Sequence, residues 1–390
     1  MKEYSPFEPG KPVSPGMFVG RESQITEVDR YLRQVQYGKP QSLFLIGDRG
    51  VGKTSLAGFI SRLAESNRHL LSVHTFLSGV HSLEGIIQQV FTELAKKARS
   101  ENLYDKVSSL FGDRIEEVGL FGVNVKFKPN QDQLSALVSD FPEAIAAFHE
   151  KIKQDKSGIL IILDDINGAI SSGEFANWFK SMWDRVNVSS AGFPVFFLLI
   201  GLPEKRDLLF KQPPSLMRIF QILEIGRLTD EEIIQFYQNR FEEAGMELEE
   251  AAMRLMVGFC SGLPIMMQEI DDAVFWQTNS GIITERDAQN GILDASERIG
   301  KKYLDPKFYN VVRSERYRSI IGKIGQHLAF DFTKREIESG LTEEEKRVFG
   351  NLLRKLRELG ILTQPPELPR GSYRFTNRLY LTYLYMKSHN

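Results

Sequence analysis

The chain has 390 residues, of which 42% are hydrophobic and 26% charged, and a net charge of −2. Its length exceeds what one compact core supports and predicts two or three domains, while its longest apolar run, "VFFLLIGL", is far short of the roughly 20 residues that cross a bilayer. With no signal-peptide core in residues 1–20 and a single cysteine, Cys260, the sequence predicts a soluble, cytoplasmic protein with no membrane partner and no intrachain disulfide, and argues against a cysteine metal site.

Residues 1–17 hold four prolines and two glycines without apolar periodicity and are expected to run extended. In "MFVGRESQITEVDRYLRQV", Ile25, Val28, Tyr31 and Leu32 mark an amphipathic helix. Four short apolar runs bounded by polar or turn residues predict buried strands at Ser42–Ile46, Leu70–Phe76, Ile159–Leu163 and Pro194–Ile200. Helical patterns separate them, the alternation of an α/β fold whose parallel sheet is covered on both faces. Between the second and third, the alternation of Val118, Leu120, Val123, Val125 and Phe127 predicts a hairpin inserted at about 115–128. From Thr229 the pattern becomes helical, opening on a capping box in "TDEEIIQFYQNRF". These shifts divide the chain into an extended segment 1–17, a core domain 18–228, a helical domain 229–298 and a C-terminal domain 299–390.

The run "LFLIGDRGVGKTSL" satisfies G-x-x-x-x-G-K-[ST] at Gly47, Gly50, Gly52, Lys53 and Thr54, between a strand and an apolar helix. Such a loop points successive backbone N–H groups and a helix N-terminus at phosphate. Gly47, Asp48, Arg49, Gly50, Val51, Gly52, Lys53, Thr54 and Ser55 are therefore the expected nucleotide-binding residues. Lys53 is expected to meet the β- and γ-phosphates and Thr54 to ligate Mg²⁺. Hydrolysis needs a second strand bearing carboxylates, and "GILIILDDINGAI" supplies Asp164, for Mg²⁺, and Asp165, to polarise the attacking water. Both fall at a strand's C-terminal end, where open α/β sheets bind ligands.

With these motifs the chain resembles the AAA+ and STAND branches of the P-loop ATPases, particularly ATPases similar to the bacterial and archaeal origin-recognition initiators. The resemblance covers nearly the whole chain and implies a P-loop parallel sheet followed by an all-α lid and a winged helix, with ATP and Mg²⁺ as cofactors. "FVGRE" resembles the entry motif whose Phe18 and Val19 would flank the adenine. "GLP" resembles the lid motif that would bring Pro264 against the nucleotide, and "PSLMRIF" resembles the segment carrying an arginine finger, here Arg218. A finger often acts in a neighbouring subunit, so a homo-oligomer on ATP binding is implied. Two departures stand out: the second acid is Asp165 where AAA+ enzymes carry Glu, and "PVFFLLIGLPE" ends in Gly201 where a polar sensor residue is usual. Both imply slow or conditional hydrolysis, closer to a switch than to a motor.

Residues 301–390 hold 18 Lys and Arg against 10 Asp and Glu, so a basic C-terminal domain follows an acidic body. There "TEEEKRVFGNLLRKLRELGIL" opens on a capping box and carries Arg347, Arg354 and Lys355 on its polar side, and "TQPPELPRG" separates two short strands. This order resembles a winged helix, which implies duplex DNA contacts at Arg347, Arg354, Lys355 and Arg370. The alternative is a STAND-like signalling or defence ATPase whose winged helix docks on a protein partner not identified by the sequence, without DNA; a third reading is a structural ATPase subunit of a defence or transposition system.

Overall fold

The computed structural model describes residues 4–13, 18–118, 124–168, 173–188, 192–211, 214–278, 280–306, 314–327 and 329–389. The chain forms two compact units, Pro12–Gly226 and, together with the first eleven residues, Arg227–Asn390.

In the first unit the leading elements are α1 (Glu22–Gln36), β1 (Gln41–Ile46), α2 (Lys53–Arg68), β2 (Leu70–Phe76) and α3 (Leu83–Ser100). Then come α4 (Tyr104–Phe111), β3 (Ile115–Val118), β4 (Asn124–Phe127), α5 (Gln131–Ser139), α6 (Phe141–Ile152), β5 (Gly158–Asp164), α7 (Glu174–Val188), β6 (Val195–Gly201), α8 (Pro203–Lys211) and β7 (Gln221–Glu224). Five strands make one sheet in the order β2-β5-β6-β1-β7, every pair parallel. β5 and β6 are buried along their whole length, as a sheet covered on both faces requires. Each fully buried Phe or Leu of the sheet, such as Phe44 on β1 and Phe197 and Leu199 on β6, contributes about 1.5–3 kcal/mol of transfer free energy. The fifth strand, β7, was absent from the sequence expectation. It lies at the sheet edge with only Leu223 buried, so it carries no apolar run to betray it.

β3 and β4 pair antiparallel, Ile115 opposite Phe127. Leu120 and Val123, read as part of this hairpin, lie outside the described residues. Phe127 is core: its ring sits 5.5 Å from Phe91 and 5.9 Å from Phe111.

The second unit begins with helices α9 (Asp230–Glu243), α10 (Glu250–Cys260), α11 (Pro264–Gln277) and α12 (Glu285–Ile299). A two-residue parallel bridge, β8 (Glu247–Leu248) with β9 (Ile282–Ile283), supplements this helical block. The extended N-terminal segment packs on it: the Phe7 ring lies 5.0 Å from Phe241 and 5.8 Å from the Arg240 guanidinium, and Arg240 donates to the Pro6 carbonyl at 3.0 Å. Beyond α12 the chain forms helices Glu315–Gln326, Lys334–Glu338 and Glu343–Glu358 and an antiparallel sheet of β10 (Asp331–Thr333), β12 (Ser372–Phe375) and β11 (Leu362–Thr363), the elements of a winged helix. A last helix, Arg378–His389, buries Leu379, Tyr380, Leu381, Tyr383 and Leu384, so "YLTYLYM" is core.

The capping box read at Thr342 and Glu345 is present. The buried Glu345 carboxylate also accepts from Lys323 Nζ and Ser319 Oγ, each at 2.7 Å. Lys323 first, then Ser319 and the Thr342 N–H, hold its pKa down from 4.5 to about 2. A folded value below the unfolded one means that the contribution to stability is complete above 4.5 and lost as the pH falls toward 2. Glu345→Gln is expected to cost about 1–3 kcal/mol at neutral pH and to flatten that acid loss. Urea unfolding at stepped pH checks this; an acid limb as steep as the parent's contradicts it.

Candidate nucleotide site

The phosphate loop leaves the C-terminal end of β1 and ends where α2 begins. Gly52, the residue before α2, has φ +93°, a conformation open to glycine at little cost. Gly47 is required by space: a Cβ there would lie 2.4 Å from the Ile225 carbonyl oxygen, and Ile225 itself donates to Ile46 O at 2.9 Å. Lys53 Nζ donates to the loop's own carbonyls, Gly47 O and Asp48 O, each at 2.7 Å. Burial pushes the Lys53 ammonium below its ordinary pKa, and the carboxylates of Asp164, Asp48 and Asp165 oppose that shift. Asp164, which ends β5, and Asp165, which follows it, thus act electrostatically on the loop lysine from 111 and 112 residues away in sequence, because β5 and β1 flank β6 and run in the same direction.

Asp164 closes β5 and is 4% exposed. Its Oδ2 lies 3.0 Å from His74 Nε2, and that imidazole stacks on Phe76 at 4.4 Å. Asp165 follows in the left-handed region, φ +58°, which Asp tolerates better than most residues. The turn is fastened to both neighbouring strands: Leu77 N–H donates to Asp164 O at 2.8 Å and Ile166 N–H to Ile200 O at 3.1 Å. Asn167 donates from Nδ2 to the Asp165 carboxylate and accepts the Leu202 N–H at 3.1 Å.

Other expected site residues are placed as follows. Asp48 and Arg49 are exposed, Val51 is buried, and Gly50 and Thr54 are half-buried. The Ser55 hydroxyl accepts the Val13 N–H at 3.1 Å. Phe18 and Val19 are half-buried, and the Phe18 ring lies 5.1 Å from Phe59 on α2. Arg21, in the same "FVGRE" stretch, is buried and donates to Gly226 O at 2.5 Å and to Val51 O at 3.4 Å. Arg218 is exposed at the end of the 3₁₀ turn Pro214–Arg218, ahead of β7. β7 runs parallel to β1, with Leu43 opposite Gln221, so Arg218 precedes the N-terminal end of a strand whose far end flanks the phosphate loop. It does not join its own chain's loop. Pro264 opens α11 in the other unit; Gly262 before it has φ +70°, and a Cβ there would meet Leu228 O at 2.7 Å, so "GLP" also has a packing reason.

Sequence reasoning missed Arg21, His74 and Asn167. His74 had a signal, a titratable residue inside a strand whose neighbouring residues Leu70, Leu71, Ser72, Val73 and Thr75 are buried.

Residues 17–185 match the AAA ATPase domain family. The chain carries an AAA ATPase domain. No curated protein is a significant sequence match. Among solved structures, the Walker-type ATPase PABY2304 of Pyrococcus abyssi is similar at 15% identity and a TM-score of 0.57, covering 94% of this chain and 96% of that one. The Aeropyrum pernix ORC2 protein, solved as ADPNP–ADP complexes, is similar at 12% identity and a TM-score of 0.60, covering 97% and 96%. Both likenesses are of fold.

The AAA domain offers one buried carboxylate, Asp164, and one hydroxyl, Thr54, for a divalent cation. Among the described residues no three His, Cys, Asp or Glu side chains cluster to hold a metal. That donor set fits Mg²⁺, which keeps several waters and takes substrate phosphates as ligands. His74 is placed to fix the Asp164 carboxylate from behind. No helix among the described residues is long and apolar enough to cross a membrane.

Proposed function

We propose that the chain is a nucleotide-operated switch that contacts duplex DNA through its winged helix. The observation carrying the switch is that the loop after β1, with Lys53, and the acids Asp164 and Asp165 at the end of β5 lie at the same end of a parallel sheet, with Asp as the second acid and no side chain at Gly201. Residues Gly47 to Ser55 bind the phosphates, Lys53 exchanging its loop carbonyls for β- and γ-oxygens. Phe18 and Val19 flank the adenine. Thr54 and Asp164 would hold Mg²⁺, which supplies charge neutralisation at the phosphates. Asp165 accepts a proton as water oxygen bonds to the γ-phosphorus and the bond to the β–γ bridging oxygen breaks, giving ADP and phosphate. Asp165 has a shorter arm than Glu, so hydrolysis is slow or conditional. The exposed position of Arg218 ahead of an edge strand suits a finger that completes a neighbouring copy's site on ATP binding.

The DNA reading is supported by Arg347 and Arg354, both exposed and seven residues apart on one helix, with Arg370 exposed in the turn between β11 and β12. Much of the domain's basic surplus is engaged within the domain: Arg316 pairs with Glu344, Lys346 with Glu343, Arg374 with Asp331 and Glu367, Arg354 Nε lies 3.9 Å from Glu358, and Lys355 lies 5.2 Å over the Tyr317 ring. That pairing favours the second reading, a winged helix that docks on protein. A duplex-binding titration across salt decides between them. With four phosphate contacts, log K is expected to fall against log salt with a slope of about −4, and Arg347→Ala with Arg354→Ala to reduce the slope by about 2. Absence of binding at low ionic strength, or a flat slope, overturns the DNA reading.

A further inference from the structure

The β6 strand ends in Gly201, and packing explains the missing side chain. A Cβ at 201 would lie 3.0 and 3.1 Å from the Phe44 ring, so the fully buried Phe44 would have to shift to admit it. The same Cβ would come 3.5 Å from Asn167 Oδ1, so the space beside the strand end belongs to a side chain from the neighbouring turn.

The two contacts of Asn167 fix its orientation. Leu202 N–H is an obligate donor, so the amide face turned toward it at 3.1 Å must be Oδ1. Nδ2 is thereby directed at Asp165, where it donates to Oδ1. Asp165 is held in the left-handed region by its backbone, and this donor restricts the rotation of its two-bond side chain. The support is rigid, since Leu202 continues a strand that is buried throughout and whose Ile200 carbonyl also holds Ile166.

The geometry points to Asn167 as the positioning residue for Asp165, clamping its carboxylate against the end of β6 so that its second oxygen is presented to the attacking water. This rests on the reading of Asp165 as the group that polarises water. Asn167 then does from β5's turn what no side chain at position 201 can do without displacing Phe44.

The test uses Asn167→Asp, which keeps the acceptor for Leu202 N–H and the size of the side chain but replaces the donor by a second carboxylate. Asn167→Ala serves as a second variant, with thermal melting to show that both fold. Steady-state hydrolysis and calorimetric ATP binding are measured for each, beside Asp165→Asn. The expected result is a kcat lower by roughly 10- to 100-fold with ATP affinity within about threefold of the parent. A kcat within about threefold for Asn167→Asp overturns the inference, as does a loss of affinity as large as the loss of kcat. If Asp165→Asn hydrolyses ATP like the parent, it is the reading of Asp165 that has failed. If Asp165→Asn is inactive while Asn167→Asp is fully active, the failure is confined to Asn167.

Discussion

Lys53→Ala is expected to lose ATP at least about 100-fold in affinity, a cost of about 3 kcal/mol, because a charge-assisted contact to phosphate is worth about 1.5–3 kcal/mol and more than one phosphate oxygen is served. The structure adds a reason why the loss falls on binding rather than on folding. Lys53 Nζ is satisfied by Gly47 O and Asp48 O, both on a loop with exposed residues that water can reach after truncation. The helix behind it is held by Leu56, Ala57 and Ile60, all fully buried, which the substitution leaves in place. Calorimetric titration with ATP and Mg²⁺ measures the effect; affinity within about threefold of the parent refutes the site assignment.

Asp165→Asn is expected to spare ATP binding and to lower turnover by about 10²- to 10⁴-fold, the usual worth of a positioned general base. Asn is among the few residues that adopt φ near +58° readily, so the turn keeps its shape. Asn167 can still donate to the amide oxygen, and Ile166 still bonds Ile200, so the fall measures the carboxylate's proton-accepting role rather than a collapsed loop. Parent turnover is expected below about 1 s⁻¹, under the usual enzyme range. Phosphate release at saturating ATP gives both rates, and turnover within about threefold of the parent removes Asp165 from its role.

Which features were legible follows from how local their causes are. The loop Gly47–Thr54 needs its glycines and its lysine at fixed offsets, and β1, β2, β5 and β6 are largely buried apolar runs, so both are written in contiguous residues. The capping boxes at Thr229 and Thr342 span four residues each and could be read directly. β7 could not, since an edge strand with one buried residue shows neither alternation nor an apolar run. Phe7 looked like part of a structureless lead-in because its partners, Arg240, Phe241 and Phe275, are more than 230 residues away. The basic surplus of the C-terminal domain was visible in composition; which cations are consumed by acids such as Glu344 and Asp331 was not.

By itself, then, the sequence determined the phosphate loop, the acidic strand end and the α/β-then-helical order, because backbone conformation and burial periodicity depend on neighbours a few residues apart. Only the tertiary structure decided that His74 backs Asp164, that Arg21 joins Val51 to Gly226, and that Asn167 joins Asp165 to the end of β6. Those partnerships are set by which strands, turns and loops of the parallel sheet lie side by side, and that arrangement is a property of segments far apart in the chain.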